Sequence, residues 1–225
     1  MPYNQSPITG SHDPTYIRKK GRRDIMMRPE DYRKFLEMIK TKPANEKLMP
    51  RDHCAFVCMI NMGLRIAEVA ELKRQHFNDL DYDPPMANVP AKKKNRKGGK
   101  KADPFKVLFV HPKIAEYLIR YMDTEMYENQ KFLFPGGADG HISTRHLRRM
   151  FYHYAGLCKF KANFTPHSAR HGWGTLLYEW TGNQVFVRDQ MGHAVTDRSM
   201  ATTNIYMHLS PVKAKECLKK IEYFI

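Results

Sequence analysis

The chain has 225 residues, of which 38 are lysine or arginine and 23 are aspartate or glutamate, and its formal net charge is +15. This excess predicts a polyanionic partner, either nucleic acid or an anionic membrane surface. With 42% hydrophobic residues the chain can bury a core, which excludes a wholly disordered protein. No apolar stretch approaches the roughly 18 residues of a membrane span, and MPYNQSPITGSHDP at the start holds no apolar signal core. The composition therefore predicts a cytoplasmic protein that binds nucleic acid, with one large domain or one medium domain with extensions.

The first 27 residues are polar and end in the basic cluster IRKKGRRD. They predict an arm, which either contacts DNA phosphates or is a solvated tail. Helical patterns follow in RPEDYRKFLEMI, whose first turn holds Pro29, and in the nearly all-apolar PRDHCAFVCMINMG, which ends at Gly63. RIAEVAELKRQHF predicts another helix directly after that glycine.

The character of the chain changes over residues 81–110, where β-prone stretches flank a turn rich in lysine and glycine. This pattern predicts a hairpin or small sheet. Further helices are predicted in HPKIAEYLIRYMDTEMYENQ, STRHLRRMFYHYAGL, PHSARHGWGTLLYEW and NQVFVRDQMGH. Ser143 can cap the second of these helices, whose polar side carries Arg145, Arg148 and Arg149, and Thr165 with Pro166 opens the third. The tail repeats apolar residues at helical spacing, namely Ala214, Cys217, Leu218, Ile221 and Phe224. The predicted fold class is mainly α with a small antiparallel β-sheet or hairpin (α+β).

The cysteines point to packing and not to a metal site. Cys54 and Cys58 lie four residues apart in an apolar helical run, so they share a helix face. No second close pair of Cys or His supplies zinc-ligand spacing, and no disulfide framework is indicated. We expect all four cysteines to be reduced core thiols.

Two short segments combine cationic side chains with helix starts. In TPHSARH, His167 and Arg170 lie three residues apart in a first turn, where free backbone N–H groups favour an anion. The pair predicts a phosphate cradle, or else a surface His and Arg bonded elsewhere. In MGLRIAEVAEL, Arg65 begins the helix that follows Gly63. Its planar guanidinium suits phosphate oxygens.

The hairpin turn AKKKNRKGGKK holds seven lysines and arginines. Most of them are expected to be solvated, to contact phosphates or to form a localisation signal. The sharper hypothesis is that one of the first lysines reaches into a site as a proton donor.

In order along the chain, GLRIAEVAEL, VPAKKKN, TPHSARH, QMGH and ATTNIYMH resemble the motifs of the tyrosine recombinase (phage integrase) family. The resemblance covers residues 28–210. It implies a tyrosine recombinase catalytic-domain fold and an enzyme that cuts and rejoins DNA without metal or nucleotide cofactor. The implied partners are double-stranded DNA and further copies of the chain, as a tetramer on paired DNA sites. Mobile-element DNA integration is the setting that the family suggests.

The resemblance also implies roles for individual residues. Tyr206 is the expected nucleophile, which attacks the scissile phosphate to give a 3′-phosphotyrosine and a free 5′-hydroxyl. Arg65 and Arg170 would stabilise the charge that gathers on the phosphate. His167 would assist proton transfer from the tyrosine, and His193 would bond the phosphate.

The general acid is expected to be Lys92, which would protonate the departing 5′-oxygen. Lys94 is the competitor, because it would face the same side of the strand. Glu68 matches a family carboxylate that orients an arginine, or else is a solvated helix charge. Ala169 stands where the family usually has leucine.

The expected organisation is a basic N-terminal arm at 1–27, a catalytic domain at 28–210 and a C-terminal helix at 211–225. That helix either docks onto a neighbouring protomer or folds back on its own domain. The family usually has a core-binding domain before the catalytic one, so we expect either a catalytic fragment or a protein that clamps DNA with its arm. The alternative functions are topoisomerase IB-like relaxation of DNA and catalytically silent DNA binding.

Overall fold

The structure, a computed structural model, describes residues 26–91, 105–124, 130–137, 140–192 and 209–225. Its helices are α1 (Pro29–Thr41), α2 (Met49–Asn61), α3 (Ile66–Ala70), α4 (Pro112–Met122), α5 (Thr144–Cys158), α6 (Pro166–Thr181), α7 (Gln184–Met191) and α8 (Pro211–Leu218). Strands β1 (Met86–Pro90) and β2 (Phe105–Phe109) form a two-stranded antiparallel sheet. The predicted fold class, mainly α with a small antiparallel sheet, is confirmed.

Helix α2 lies at the centre of the core, and every residue from Arg51 to Ile60 is buried. Helices α1 and α5 pack against each other, and α1 also packs against α2. The aromatic ring of Phe35 on α1 lies 5.2 Å from that of Phe56 on α2 and 4.9 Å from that of Phe151 on α5. The nearly all-apolar pattern of this segment therefore reflects burial on every face.

The helix boundaries follow the predicted caps. Ser143 accepts a hydrogen bond from the backbone of His146 at the start of α5, and Thr165 accepts one from Ser168 at the start of α6. Gly63 follows α2 with φ +56°, and a Cβ there would lie 2.5 Å from Cδ1 of Trp173. Glycine is required at this position by both the left-handed backbone and the close approach of α6.

The prediction of one continuous helix over RIAEVAELKRQHF is wrong. Helix α3 ends at Ala70, and a 3₁₀ turn over Arg74–Phe77 follows. Between the two, the carbonyl of Leu72 accepts a hydrogen bond of 2.8 Å from the backbone of Leu133, and Lys73 forms an isolated β-bridge with Phe132. These tertiary backbone bonds overrode a pattern that is helical when considered locally.

The sheet directs the side chain of Lys106 toward the core. In the register of the hairpin, Lys106 pairs with Val89 and Leu108 with Ala87, and both partners are fully buried. Lys106 and Leu108 lie two residues apart and so share the inner face of β2. Helix α7 packs on β2. The side-chain amide of Gln190 on α7 donates to the carbonyl of Phe109 and accepts from its backbone N–H, in the orientation that satisfies both ends of the amide.

The C-terminal segment packs on the chain's own core. Helix α8 ends at Leu218, so the predicted helical spacing up to residue 224 is only partly realised, although Ile221 and Phe224 are both buried. The ring of Phe224 lies 5.2 Å from that of Tyr32. Asn61 at the end of α2 accepts from the backbone N–H of Phe224 and donates to its carbonyl, both at 2.7 Å. Docking of this segment onto a neighbouring protomer stays a prediction.

Other sequence expectations concern the cysteines and the arm. All four cysteines are buried and free. Of the arm at 1–27, residues 1–25 lie outside the described residues, and Met27 is fully buried. Across the ranges given above, no helix has the length and apolar character to cross a membrane.

Truncating Phe224 tests the packing of the tail in the free protein. We expect Phe224→Ala to lower the free energy of unfolding by about 3–5 kcal/mol, because a buried aromatic side chain is lost and a cavity remains. The measurement is urea denaturation followed by circular dichroism. The control is Val212→Ala on the same segment, whose side chain is 69% exposed and whose loss should change the midpoint little. Equal midpoints for the two variants would show that the tail does not pack this way in solution.

Candidate functional site

An open hollow of about 350 Å³ lies between α3, α5 and the start of α6. It is lined by Arg65, Ile66, Ala67, Arg148, Tyr152, Thr165, Pro166, His167 and Arg170. Three of the predicted site residues, Arg65, His167 and Arg170, are therefore brought together from segments about 100 residues apart in sequence. The other three, Lys92, His193 and Tyr206, and the competitor Lys94, lie outside the described residues.

Arg65 is the residue that precedes α3, and it is fixed by the helix it begins. Its backbone N–H donates to Oε2 of Glu68 at 2.8 Å, and its guanidinium donates to Oε1 of the same carboxylate at 2.9 Å. This is a capping box in which the glutamate satisfies a free N–H at the helix start. The side chain of Arg65 is 38% exposed, so its guanidinium is held on one side and open to the hollow on the other.

Arg170 projects from α6 into the interior and is almost completely buried. Its guanidinium donates to the carbonyl of Gly63, just after α2, and to the carbonyl of Met191, the last residue of α7. Burial, together with the nearby charge of Arg65, lowers the pKa of Arg170 to about 10. The guanidinium therefore remains charged at neutral pH, with its orientation fixed by two helix ends.

Glu68 is the buried anion that joins these cations. The residue is fully buried. Its carboxylate pairs with Arg65 at 2.9 Å, with Nζ of Lys106 at 3.1 Å and with Arg170 at 3.7 Å. Burial alone would raise the pKa of Glu68, but Lys106, the Arg65 backbone N–H and Arg170 together hold it below its ordinary value. Of the two alternatives for Glu68, the orienting carboxylate is the one this geometry supports.

Lys106 is a site residue that the sequence analysis missed. Its ammonium lies beside Glu68 with only 9% of the side chain exposed. Burial, partly offset by Glu68 and reinforced by Arg170, lowers the pKa of Lys106 to about 8. The alternation in FKVLF could have found it, because a lysine two residues before the buried Leu108 must face the core side of the strand.

His167 is exposed in the first turn of α6, at the rim of the hollow. The backbone N–H groups of a helix start and the helix dipole both favour an anion there. Arg148 and Tyr152 on α5 complete the opposite wall. Arg148 was placed on the polar side of α5 from its spacing, but no sequence pattern singled out Tyr152, which is 52% exposed.

Taken together, the hollow presents an excess of fixed positive charge. Within the described ranges, three cations, Arg65, Lys106 and Arg170, surround one carboxylate, and two of the three are nearly inaccessible to water. Fixed positive groups in a site of low dielectric attract an anion more strongly than mobile surface lysines do. The arrangement can therefore hold a phosphate-sized anion between Arg65, Arg170 and the start of α6.

Comparison with known proteins points to one family. The model of the phage integrase family matches residues 26–212. Tyrosine recombinase XerS of Streptococcus equi subsp. zooepidemicus is 28% identical over 186 residues, which cover 81% of this chain and 48% of the relative. XerS of Streptococcus agalactiae serotype III is 30% identical over 175 residues, with 76% and 45% covered. The chain thus spans about half the length of these curated relatives.

Solved structures share the fold. The XerH site-specific recombinase, in a pre-cleavage complex with its difH substrate, matches with a TM-score of 0.61 at 19% identity, covering 82% of this chain and 53% of XerH. The integrase of mycobacterium phage Brujita matches with a TM-score of 0.58 at 17% identity, covering 92% and 60%. At these identities the similarity shows the fold alone.

Neutralising Glu68 tests whether the carboxylate holds the cations. At neutral pH we expect Glu68→Gln to cost about 3–5 kcal/mol of unfolding free energy, because three buried or half-buried cations lose their shared partner. The pKa of Glu68 in the folded protein lies below its ordinary value of 4.5, so this stabilisation is present above about pH 4.5 and is lost as the pH falls through the folded pKa. The measurement is urea unfolding of both proteins over this pH range.

The matched control is Glu116→Gln, which removes an exposed carboxylate paired with Lys113 and Arg120. We expect no resolvable change, because exposed pairs contribute little. A Glu68→Gln protein as stable as the control, or a stability difference that does not change with pH, would contradict the role given to Glu68.

Proposed function

Because the chain belongs to the phage integrase family, we propose that it is a site-specific tyrosine recombinase that cuts and rejoins DNA through a 3′-phosphotyrosine at Tyr206. The observation that carries the proposal is the convergence of Arg65, His167 and Arg170 on one hollow. A DNA backbone phosphate has the size and charge that this hollow accepts. The proposed reaction uses side chains alone and needs no metal.

The two arginines act on the phosphate. In the transition state, negative charge builds up on the non-bridging oxygens, and guanidinium groups that are already oriented stabilise it without rearrangement. Arg170 is oriented by the carbonyls of Gly63 and Met191, and Arg65 by Glu68. His167, on the rim, assists the loss of the proton from a phenol whose ordinary pKa is about 10.

The roles of His193 and Tyr206 rest on their place in the chain. His193 follows Met191 by two residues, and Met191 is the residue whose carbonyl binds Arg170. This supports His193 as a phosphate ligand. Tyr206 lies in the segment between Gly192 and Leu209 and is assigned as the nucleophile through its motif, ATTNIYMH.

The proposed general acid, Lys92, follows Ala91 directly after β1. Strand β1 pairs with β2, whose Lys106 contacts Glu68, so the end of β1 lies close to the charged cluster. Lys92 would protonate the departing 5′-oxygen, with Lys94 as the competitor.

The proposed partner is double-stranded DNA. The net charge of +15 supports it, and so does the exposed basic side of α5, which carries Arg145, Arg148 and Arg149. The XerH neighbour was solved bound to its difH substrate, and the Tn1549 transposon integrase was solved in complex with circular intermediate DNA. We propose assembly as a tetramer on paired DNA sites, with the segment 211–225 as the element that reaches a neighbouring copy. Relaxation of supercoiled DNA by a monomer, without recombinant product, would favour the topoisomerase alternative.

Replacing Tyr206 tests the proposed nucleophile. With a nicked DNA whose released fragment diffuses away, the wild-type protein should accumulate an adduct that survives SDS, and Tyr206→Phe should give none because no phenol oxygen can attack. Tyr152→Phe should still form adduct, although Tyr152 lines the hollow. The readout is gel mobility of labelled DNA, with mapping of the modified peptide.

The control variant is Tyr178→Phe, an exposed tyrosine away from the hollow, which should match the wild-type yield. An adduct of undiminished yield from Tyr206→Phe would refute the nucleophile. Loss of the adduct from Tyr152→Phe with retention by Tyr206→Phe would move the reaction to Tyr152.

DNA with sulfur at the bridging 5′ position tests the general acid. A thiolate leaves without protonation, so loss of a general acid matters only for the ordinary oxygen ester. We expect Lys92→Ala to slow single-turnover cleavage of ordinary DNA by about 10²-fold or more, and to recover nearly the wild-type rate on the sulfur substrate. Lys94→Ala should cleave ordinary DNA at the wild-type rate and gain nothing from the sulfur substrate. If Lys94→Ala is slow and is rescued by sulfur while Lys92→Ala is not, Lys94 is the general acid. If sulfur rescues neither variant, neither lysine is the general acid.

A further inference from the structure

Lys106 connects three parts of the phosphate site. Its Nζ lies 3.1 Å from Oε2 of Glu68, the oxygen that also accepts the backbone N–H of Arg65 at 2.8 Å and lies 3.7 Å from Arg170. Three different elements, β2, α3 and α6, therefore meet at one carboxylate oxygen. A shift of the ammonium would be transmitted to both arginines through this atom.

The stem of Lys106 also contacts the end of α7. Gly192 has φ +59°, and a Cβ on it would lie 2.8 Å from Cδ of Lys106 and 3.6 Å from its Nζ. The lysine thus packs against the residue that directly precedes His193. Glycine at 192 gives both the left-handed backbone and the space that this stem occupies.

We propose that Lys106 is a positioning residue of the phosphate site, which holds Glu68 between the two arginines and maintains the positive charge of the cluster. This inference rests on the proposed DNA cleavage at the same site. Lys106 itself is placed behind the carboxylate, and its effect on the phosphate is exerted through Glu68, Arg65 and Arg170.

The need for a cation at this position follows from the charges. Among the described residues, the groups facing Lys106 are Glu68 of α3, Arg65 just before α3 and Arg170 of α6. Counted over these residues, the cluster of three cations and one carboxylate carries a net +2 when the ammonium is charged. With a neutral residue it carries +1, and Glu68 competes for both arginines, which turns their donors away from a bound phosphate. A buried ammonium is costly for folding alone, and an apolar residue would suit the core face of a strand better.

The first experiment measures DNA affinity and the single-turnover rate of adduct formation separately. For Lys106→Met we expect the rate at saturating DNA to fall about tenfold or more while the dissociation constant changes less than about threefold. Lys106→Arg, which keeps the charge, should recover most of the rate. The control is Lys113→Met, which removes an exposed lysine paired with Glu116 and should leave both quantities unchanged.

The outcomes separate this inference from the proposed function. If the wild-type protein forms no adduct, DNA cleavage itself is wrong. If the wild type is active and folded Lys106→Met cleaves at the wild-type rate, only the positioning role is overturned. Full recovery of Lys106→Met on the DNA with bridging sulfur would also overturn it, because that result would make Lys106 the general acid. A positioning residue leaves the defect in place on both substrates.

If Lys106→Met does not fold, the dependence of the wild-type cleavage rate on pH still tests the proposal. The pKa of Lys106 is about 8, so its protonated fraction falls roughly tenfold between about pH 7 and pH 9. The wild-type rate at subsaturating DNA, which reflects the free protein, should fall between these two pH values by nearly the same factor as the protonated fraction of Lys106. Lys106→Arg stays charged, so its rate relative to wild type should rise several-fold at high pH. Superimposable profiles would overturn the proposal.

Discussion

The site depends on one buried carboxylate. Glu68 is inaccessible to solvent and still charged, because Arg65, Lys106 and Arg170 surround it. The dependence is mutual: burial, reinforced by the neighbouring cations, lowers the pKa values of Lys106 and Arg170, and the carboxylate of Glu68 partly offsets this lowering. The result is a cluster with fixed geometry and excess positive charge. Such preorganisation is what stabilises charge that develops during phosphoryl transfer.

The helix ends around Arg170 reinforce this arrangement. The guanidinium donates to carbonyls at the C-terminal ends of α2 and α7, where the helix dipoles are negative and favour a cation. The hollow on its other side is bounded by the first turn of α6, where the dipole favours an anion. Arg170 therefore lies between two helix C-termini, which attract its positive charge, and a helix N-terminus, which attracts an anion. These attractions come from the placement of the helix backbones and do not require further charged side chains.

Much of this could be predicted from the sequence, and the failures have physical causes. Gly63 and the caps at Ser143 and Thr165 were predicted because local backbone chemistry determines them. The length of α3 was not, because the bond between Leu72 and Leu133 joins segments 61 residues apart. Arg65, His167 and Arg170 were found through motifs, which order residues along the chain. Lys106 was hidden among many lysines, and only the register of the strand distinguishes its inward direction from that of the solvated ones.

The C-terminal segment and the phosphate site are held in place by shared contacts around Gly63. The ring of Trp173 on α6 fills the space where a side chain at Gly63 would be, and it also lies 6.3 Å from the ring of Phe224. Asn61, two residues before Gly63, holds the backbone of Phe224 on both sides. Gly63 in turn supplies a carbonyl to Arg170, which α6 carries three residues before Trp173. The end of α2 is therefore fixed by tail packing from one side and by the arginine from the other. A side chain at Gly63 would therefore disturb both the packing of the C-terminal segment and the position of Arg170.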